Sequence, residues 1–482
     1  MKLSEIIKDL DVISSTADLQ TQILGVSYDS RKTQAGDLFV AVKGFESDGH
    51  RFIPKAVEKG ALAVLCEDAP EDGTPYIRVA DSRRALAIAS RNLFGDPASR
   101  MTMIGITGTS GKTTSSYLIK QLLEKKLGAK VGLVGTNGNM IGDELIHTEH
   151  TTPESYELQK LFRAMADAGC SHVVMEVSSH SLVLDRVAAL HFDTALYTNL
   201  SQDHLDFHKT MQEYAAAKKK LFSMCGTACV NADDAWSDYM TRSESCALLR
   251  YSAEGKGELR AENISLSAEG VRFDAVFGGE RAATSLSIPG MFSVHNALGA
   301  IAVGLTLGIP LSECAEAMST AKGVKGRLEL VPTDGDYSVI IDYSHKPDAL
   351  ENVLKTLRPV TRGRLIVLFG CGGDRDRLKR PIMGRIAAEN SDICIVTSDN
   401  PRTEEPEAII DEIMQGTAGG GARVMRICDR VQAIRTAIDN AQSGDVILLA
   451  GKGHEDYQVI GHEKRHMDER EIVAEYLETR KR

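Results

Sequence analysis

A strand, a glycine turn and an amphipathic helix follow one another over residues 101–128, and this order constrains the fold more than any other feature of the sequence. The apolar run MTMIGITG leads into the turn TGTSGKTT at residues 107–114. After the turn, Leu118, Ile119 and Leu122 share one face of a predicted helix. A strand that enters a helix through a short turn is typical of a parallel sheet flanked by helices. The sequence therefore predicts an α/β fold.

The turn at residues 107–114 has the chemistry of a phosphate-binding loop. Unpaired N–H groups and the helix dipole favour an anion at a helix N-terminus. Lys112 would neutralise the outer phosphates of a nucleotide, and the Thr113 hydroxyl would bind magnesium. The glycine spacing is shorter than in the common G-x-x-x-x-G-K-S/T pattern, because Ile106 stands where that pattern has its first glycine. The alternative is a tight strand-to-helix connection that carries a surface lysine.

Length and composition limit the classes of protein to which the chain can belong. Its 482 residues predict two or three domains of roughly 100 to 200 residues each. A net charge of -11 argues against a protein that coats nucleic acid. No apolar run approaches the roughly 18 residues of a membrane span, and the start MKLSEIIKDL is unlike a signal peptide. The nine cysteines lack the paired spacing of a zinc site. We therefore expect a cytoplasmic monomer with reduced thiols.

Breaks in the alternating pattern predict three domains, at residues 1–98, 99–330 and 331–482. The polar turn GDPASR ends the first domain, and VPTDGD begins the third. We expect a small α/β domain, then a P-loop ATPase-like domain with a parallel sheet, then a Rossmann-like domain. In the third domain, the loops GCGGDRD, SDNPR and GKGHE each follow an apolar run of strand length. Ligands bind beyond the carboxyl ends of such strands, so the three loops should face one crevice.

The loop pattern G-T-x-G-K-S/T resembles that of the Mur ligases and their folylpolyglutamate synthase relatives. The resemblance to the Mur ligases extends over essentially all 482 residues. Mur ligases use ATP to join an amino acid to a peptide carboxylate. The resemblance implies that the carboxylate becomes an acyl phosphate, that an amine attacks it, and that the charge of a tetrahedral intermediate must be stabilised. It implies that ATP is bound by Gly108, Thr109, Ser110, Gly111, Lys112, Thr113 and Thr114.

The same resemblance provides expectations for the metal and for catalysis. Glu176 ends the run HVVMEV and His204 stands in TNLSQDHLDFH; both match metal-binding positions of the family, as Thr113 does. Lys218 in YAAAKKKLF matches the family pattern Y-x-x-A-K, whose lysine is carbamylated by carbon dioxide and becomes a ligand for a second Mg²⁺ ion. From the residues alone, the three adjacent lysines are ordinary surface charges. The expected catalytic residues are Lys112, Glu176, His204 and Lys218.

Further matches imply sites for a UDP-linked muramoyl dipeptide and for the rest of ATP. Ser30, in SYDSRKTQAGDLFVAVKG, stands at the uridine contact. The chain departs from the commoner family wording in three places: His150 precedes the paired threonines, Ser293 precedes the ATP-contacting asparagine, and DYSHKPD, which contains Lys346, replaces DYAHTPD. The expected contacts to the dipeptide are Thr151, Thr152, Ser178 and Arg186, and those to ATP are Asn296, Arg327 and Asp342.

The loop SDNPR predicts which amino acid is added. Meso-diaminopimelate differs from lysine by a second carboxylate, and a guanidinium binds a carboxylate through two parallel hydrogen bonds. The sequence D-N-P-R resembles the diaminopimelate-adding group of Mur ligases, whereas lysine-adding relatives typically lack the arginine. From composition alone, DNPR would be a proline turn with a solvated arginine. The expected contacts to diaminopimelate are Arg375, Asp399, Asn400, Pro401, Arg402, Gly451 and Glu455.

Other functions stay open at this point. A lysine-adding Mur ligase would keep the reaction and change only the amino acid. Folylpolyglutamate synthase shares the phosphate loop and the domain order, but the DNPR loop, GKGHE and the uridine-like N-terminal segment argue against it. A P-loop switch or scaffold would bind nucleotide without needing Glu176, His204 and Lys218 arranged for two metal ions. Formation of a ligated product distinguishes a ligase from a switch.

Overall fold

The computed structural model describes residues 1–44, 47–148 and 150–480, except for the side chain of Asp206. These residues form two compact units. The first unit consists of Met1–Ser252, Lys256–Glu258 and Gly299–Ile309, and the second of Ala253–Gly255, Leu259–Leu298 and the described part of Pro310–Arg482. Within the described ranges, no helix is both long enough and apolar enough to cross a membrane. The domain boundaries at residues 98 and 330 stay predictions.

The first unit begins with a small α/β region. Its elements are α1 (Leu3–Ile6), β1 (Ser14–Ser15), β2 (Gly25–Ser27), β3 (Asp37–Val40), α2 (Ile53–Glu58), β4 (Ala63–Cys66), β5 (Tyr76–Arg78) and α3 (Ser82–Phe94). The strands form one sheet in the order β1-β5-β4-β3-β2, in which only β1 and β5 pair antiparallel. Asp81 caps α3 at its start and Gly95, with a φ of 74°, ends it. The segment SRRALAIASRNLF forms this helix, and local sequence signals mark both of its ends.

The rest of the first unit surrounds the glycine turn. Its elements are β6 (Thr102–Thr107), α4 (Lys112–Leu127), β7 (Val131–Val134), β8 (Asn139–Ile141), β9 (Glu144–Ile146), α5 (Ser155–Asp167), β10 (His172–Glu176), α6 (Ser179–Val183), β11 (Phe192–Tyr197), α7 (Leu205–His208), α8 (Met211–Lys219), β12 (Cys225–Asn231), α9 (Ser237–Thr241) and β13 (Ala247–Ser252). Strands β13, β12, β11, β6, β10 and β7 run parallel in this order, and β8 and β9 continue antiparallel. Ile106 on β6 pairs with Glu176, and Thr107 pairs with Tyr197. The carboxyl ends of three strands therefore meet at the turn.

The second unit contains the predicted third sheet. Helix α10 (Met291–Thr306) contributes residues to both units; the other elements are β14 (Leu259–Ser267), β15 (Gly270–Phe277), β16 (Glu280–Leu286), α11 (Leu311–Thr320), β17 (Glu329–Val331), β18 (Ser338–Asp342), α12 (Pro347–Leu357), β19 (Leu365–Phe369), α13 (Lys379–Asn390), β20 (Ile393–Val396), α14 (Pro406–Thr417), β21 (Arg423–Arg426), α15 (Arg430–Asp439), β22 (Val446–Ala450), β23 (Tyr457–Ile460), β24 (Glu463–His466) and α16 (Glu469–Arg480). Strands β18, β22, β19, β20 and β21 are parallel, with β17 antiparallel at the edge.

Burial explains why the strands of this sheet are apolar along their whole length. All residues of β19 and β22 are buried, as expected for parallel strands covered by helices on both faces. The apolar runs RLIVLFG, ICIVTSD and VILLAG before the three loops are therefore strands, as predicted, and each strand ends before its polar loop. The run YSVIID is also a strand. The antiparallel strands β14 to β16 and the hairpin of β23 and β24 were not predicted.

Candidate active site

The glycine turn after β6 is fastened to the end of β11. A Cβ atom on Gly108 would lie 1.9 Å from Thr198 Oγ1, and the φ of Gly108 is 151°, so glycine is required here. The N–H of Thr109 donates to the carbonyl of Asn199 (2.9 Å), and the N–H of Ser110 donates to the Asn199 side chain (3.0 Å). The turn is thus held in one conformation at a helix N-terminus, a position that favours phosphate.

The lysine of the turn lies over its own loop. Gly111 has a φ of 85° and precedes α4, so Lys112 is the first helical residue. Lys112 Nζ donates to the carbonyls of Gly108 (2.9 Å) and Thr109 (3.1 Å). All seven predicted loop residues, Gly108, Thr109, Ser110, Gly111, Lys112, Thr113 and Thr114, therefore lie between the end of β6 and the first turn of α4.

Lys218 on α8 is buried against the same turn, whereas the two lysines after it are more exposed. Lys218 is 1% exposed, its Nζ donates to the carbonyl of Gly108 (2.8 Å), and it lies 4.5 Å from the centroid of the Tyr214 ring. Burial and the nearby Lys112 lower the pKa of the Lys218 ammonium well below its usual range, against a raising effect of Asp203. Burial therefore shifts the equilibrium toward the neutral amine relative to a lysine in water.

Glu176 ends β10 as a fully buried carboxylate. It accepts hydrogen bonds from the N–H and from the hydroxyl of Thr136, both at 3.0 Å. The hydroxyl oxygens of Thr136 and Thr151 are also 3.0 Å apart. A Cβ atom on Gly135 would lie 2.4 Å from Glu176 Oε1, so the missing side chain at this glycine leaves room for the carboxylate. The carboxylate direction is fixed by local contacts.

His204 precedes α7 in a group of aromatic rings. Its φ is 52° and its side chain is 45% exposed. The ring packs edge-to-face against His180, with 5.0 Å between centroids, and its centroid lies 6.2 Å from that of Tyr214. The Asp203 carboxylate lies 3.5 Å from His204 Nε2. The Tyr214 hydroxyl is 3.2 Å from Thr109 Oγ1, which connects this group to the glycine turn.

The donors around the turn fit magnesium. They include the hydroxyl of Thr113, the carboxylate of Glu176 and the imidazole of His204. Magnesium keeps several water ligands and takes one or two protein carboxylates together with nucleotide phosphates. In the part of the chain that the structure describes, no three His, Cys, Asp or Glu side chains form a metal-binding group. The oxygen donors of Thr113 and Glu176 match the preference of magnesium, and water and phosphate oxygens would complete the coordination.

The predicted dipeptide contacts lie beside Glu176. The Thr152 hydroxyl donates to the Glu176 carbonyl (2.8 Å) and accepts from the N–H of Ser178 (3.1 Å). Arg186 donates to the Thr152 carbonyl (2.9 Å) and forms an ion pair with Glu154 (2.7 Å). Three of the four predicted residues therefore contact one another, and the fourth, Thr151, reaches Glu176 through the threonine hydroxyl described above.

Two contacts connect the N-terminal α/β region to α5 and to the residue that precedes it. The Tyr28 hydroxyl donates to Glu157 (2.8 Å), and Arg83 lies 3.9 Å from Glu154. Two cavities of about 480 and 470 Å³ share Tyr28 and Glu157 in their linings. The predicted uridine contact, Ser30, is buried two residues after Tyr28, in the connection between β2 and β3. These contacts were not predicted, since they join residues far apart in the sequence.

The three strand-end loops of the second unit line one cavity of about 600 Å³. Arg402, with a φ of 52°, donates to the carbonyl of Gly373 (2.8 Å), and Arg375 donates to a backbone carbonyl of its own loop (3.2 Å). A Cβ atom on Gly451 would lie 2.8 Å from Asp399 Oδ2, so this glycine leaves room for the carboxylate. The seventh predicted residue, Pro401, lies in the DNPR loop between Asn400 and Arg402. The other six predicted residues line the cavity: Arg375, Asp399, Asn400, Arg402, Gly451 and Glu455.

A buried lysine that the sequence analysis did not single out pairs with the lining of this cavity. Lys452 is 0% exposed, and its Nζ donates to Asn400 Oδ1 (2.9 Å), Glu455 Oε2 (3.2 Å) and the Tyr457 carbonyl (2.7 Å). It also lies 3.7 Å from the Asp399 carboxylate. Lysine is almost never fully buried without partners. Its place between the glycines of GKGHE, directly after a strand, is the signal that could have identified it.

Two of the three predicted ATP contacts lie close together in the second unit. Asp342 ends β18 and accepts from the N–H of Leu328 (2.9 Å), and burial raises the pKa of its carboxyl. Arg327 precedes Leu328 in the sequence, and its guanidinium lies 5.5 Å from the centroid of the Tyr343 ring. Asn296 is on α10 and is 5% exposed. The hydrogen bond from Leu328 to Asp342 therefore holds Arg327 close to the end of β18.

Three family models match the chain in sequence order. The model described as Mur ligase family, catalytic domain, matches residues 22–96; the Mur ligase middle domain matches residues 106–304; and the model described as Mur ligase, glutamate ligase domain, matches residues 326–453. The predicted order of three α/β domains is confirmed.

Individual relatives are similar over nearly the whole chain. The UDP-N-acetylmuramoyl-L-alanyl-D-glutamate--2,6-diaminopimelate ligase of Clostridium botulinum is 46% identical, with 99% of each chain covered. The enzyme of the same name from Caldanaerobacter subterraneus subsp. tengcongensis is 49% identical, with 94% of this chain and 95% of its own covered. A solved structure with that enzyme name has a TM-score of 0.79 and 33% identity, and covers 100% of this chain and 99% of its own.

Proposed function

This chain belongs to the Mur ligase family, and from that membership we propose that it is an ATP-dependent ligase that adds meso-2,6-diaminopimelate to UDP-N-acetylmuramoyl-L-alanyl-D-glutamate. One observation carries the choice of amino acid. A single cavity of about 600 Å³ in the second unit is lined by two guanidinium groups and four carboxylates, two of which, Asp399 and Glu455, are among the predicted amino-acid contacts. Diaminopimelate has two carboxylates and two ammonium groups, so it complements this lining. The names of the relatives agree with the same activity.

Arg375 and Arg402 are the proposed partners of the two amino-acid carboxylates. Each guanidinium has five N–H donors, so one bond to a backbone carbonyl leaves several donors for a substrate. Asp399 and Glu455 are the proposed partners of the ammonium groups. Lysine lacks one carboxylate and would leave one arginine without its ligand, which lowers its affinity relative to diaminopimelate. The site should therefore prefer diaminopimelate to lysine.

The glycine turn of the first unit supports the ATP-dependent half of the reaction. A carboxylate becomes reactive when one of its oxygens attacks the terminal phosphorus of ATP and the bond from phosphorus to ADP breaks. The amine of the incoming amino acid then attacks the acyl carbon, loses a proton, and phosphate leaves as the amide forms. Lys112 and the N–H groups at the start of α4 would stabilise negative charge on the phosphates, and their place at the turn supports this role.

We propose that Mg²⁺, as two ions, supplies further charge stabilisation on the transferred phosphate. Thr113, Glu176 and His204 would hold one ion. Lys218 would contribute to the other after reaction of its amine with carbon dioxide, which replaces a cation with an anion that carries oxygen donors. Burial of Lys218 and its 2.8 Å contact with the Gly108 carbonyl support this role, since they put the amine against the phosphate-binding turn.

The UDP-linked substrate is proposed to bind in the first unit. Thr151, Thr152, Ser178 and Arg186 would hold the dipeptide, and Ser30 the uridine. Arg186 is positioned by Glu154, and this contact keeps its guanidinium next to Thr152. We further propose that the protein works as a monomer in the cytoplasm, where ATP and nucleotide-linked precursors are present.

The proposal is tested by measuring ADP release and product mass with UDP-N-acetylmuramoyl-L-alanyl-D-glutamate, ATP and Mg²⁺. Meso-diaminopimelate and L-lysine are supplied in parallel reactions. We expect a product that contains diaminopimelate and little product with lysine. Preference for lysine would retain the ligase but contradict the assignment of the amino acid. With no product from either, an ATPase response to folate would indicate folylpolyglutamate synthase, and its absence a nucleotide switch.

A further inference from the structure

We infer that Lys452 is a positioning residue of the amino-acid site, which sets the directions of the Asn400 amide and the Glu455 carboxylate. The inference rests on the proposed function, because it concerns the same cavity. Lys452 itself is 0% exposed and does not belong to the residues that line the cavity, so its effect on a ligand would act through its partners.

The Asn400 amide has one orientation that satisfies all its neighbours. Its oxygen, Oδ1, accepts from Lys452 Nζ and from the N–H of Val459, both at 2.9 Å. An ammonium group and a backbone N–H only donate, so the amide oxygen must face them. The amide nitrogen then faces the other way and donates to Glu455 Oε2 (2.9 Å). Without the lysine, one of the two groups that fix this orientation is lost.

Glu455 is held through a single carboxylate oxygen. Oε2 accepts from both Asn400 (2.9 Å) and Lys452 (3.2 Å). Because both bonds use Oε2, the other oxygen is available to an ammonium group in the cavity that Glu455 lines. The direction of the Glu455 side chain therefore determines where a ligand must carry its ammonium group relative to its carboxylates. Ligands with a different spacing of these groups would bind less well.

Lys452 also offsets the charges of two acidic side chains. Its Nζ lies 3.2 Å from Glu455 and 3.7 Å from Asp399. Two carboxylates on one cavity repel each other, and the cation beside both reduces this repulsion. Since the lysine is fully buried, its removal would leave buried polar groups without a partner, and water would not replace it readily.

The same lysine connects the two loops that form the site. It donates to the carbonyl of Tyr457, the first residue of β23 (2.7 Å). Strand β23 in turn holds the DNPR loop, because the N–H of Arg402 donates to the carbonyl of Val459 (3.1 Å) and the Gln458 side chain donates to the carbonyl of Asp399 (2.6 Å). Lys452 therefore affects both the ammonium-binding and the carboxylate-binding sides of the cavity.

The test compares Lys452→Met and Lys452→Gln with Lys464→Met in the full-length protein. Lys464 is an exposed lysine on β24 whose Nζ lies 3.5 Å from the Tyr457 ring centroid, so it controls for loss of a cation from the same hairpin. For Lys452→Met we expect the KM for diaminopimelate to rise by about tenfold or more, with a reduced preference over lysine. The KM values for ATP and for the UDP-linked substrate should stay within about twofold of wild type, since they report other contacts. Lys452→Gln, which keeps a donor without the charge, should retain part of the preference.

Each result has a definite meaning. A wild-type KM for diaminopimelate in a folded Lys452→Met protein would overturn the inference, and so would an equal rise in the KM values of all three substrates. If both Lys452 variants melt below the assay temperature, the lysine serves the fold and not the site, which also overturns it. If the wild-type protein makes no product with diaminopimelate, the proposed function fails instead, whatever the variants do.

Discussion

The phosphate-binding turn of the first unit and the amino-acid cavity of the second hold their lysines in different ways. Lys112 and Lys218 both donate to the backbone carbonyl of Gly108. Lys452 donates to the side chains of Asn400 and Glu455 as well as to one carbonyl. Backbone carbonyls are present in any sequence that adopts the turn, whereas side-chain partners require particular residues. In the proposed function, recognition of the phosphate would thus depend on backbone conformation, and choice of the amino acid on side-chain identity.

The surroundings of the two regions show the same difference. At the turn, the decisive requirement is the missing side chain of Gly108, since a Cβ atom there would lie 1.9 Å from a hydroxyl oxygen. In the second unit, the fully buried Arg380 pairs with Glu404 and Glu412 and donates to the carbonyl of Gly372 (3.3 Å). The loop of the amino-acid cavity is therefore supported by a buried ionic group.

Among the substitutions that test this difference between the two regions, Lys218→Ala should have the largest effect on activity. Loss of the proposed carbamate removes a charge-stabilising ligand, so we expect kcat to fall by about 100-fold or more, with partial recovery when acetate or another short carboxylate is added. Steady-state ADP release measures both effects. Lys219→Ala and Lys220→Ala are matched controls from the same run of three lysines and should stay close to wild type. Wild-type turnover by Lys218→Ala would refute the carbamate and show that a lysine held by the backbone of the turn is dispensable.

The sequence predicts the first region better because its parts are adjacent along the chain. Strand β6, the turn and α4 form one continuous segment, and local pattern and glycine spacing are sufficient to identify it. The lysines after Tyr214 mark the limit of this reasoning. Helical periodicity separates their directions, but only contact with the turn shows that Lys218 is the buried one.

The second region depends on contacts between distant residues, and these have no local signal. Lys452 and Asn400 are 52 positions apart, and their contact depends on how β22 and β20 are aligned on either side of β19. The hairpin that fastens the DNPR loop was missed because its second strand, EKRH, is fully exposed and polar and lacks the alternation of a half-buried strand. The same holds for the meander of β14 to β16, where the sequence favoured a continued α/β alternation.

Arg402→Ala should have an intermediate effect, confined to the amino-acid cavity. We expect the KM for diaminopimelate to rise by about 10- to 100-fold, because a bidentate bond to a carboxylate is lost, while the KM for ATP is unchanged. The preference for diaminopimelate over lysine, measured as the ratio of their kcat/KM values, should largely disappear. Arg385→Ala, an exposed arginine paired with Glu389 on α13, is the matched control. Persistence of the preference in Arg402→Ala would place selectivity on Arg375 instead.

Glu404→Gln should have the smallest effect and tests the ionic support of the cavity directly. Hydrogen bonds from Arg380 lower the pKa of Glu404 from 4.5 to about 2. The ionised carboxylate therefore stabilises the fold above the unfolded-state pKa, and this stability is lost as the pH falls from about 4.5 to about 2.

Since the side chain is 24% exposed, we expect Glu404→Gln to lower the free energy of unfolding near neutral pH by about 1 kcal/mol, measured by thermal or denaturant melts. The difference from wild type should shrink through that acidic range, because the wild-type carboxylate becomes protonated as well. Glu351→Gln removes an exposed pair with Lys355 on α12 and should change stability by less than about 0.5 kcal/mol. If the difference in the free energy of unfolding between Glu404→Gln and wild type stays constant with pH, the loop is supported by packing and not by charge. The two regions would then differ only in how they bind their ligands.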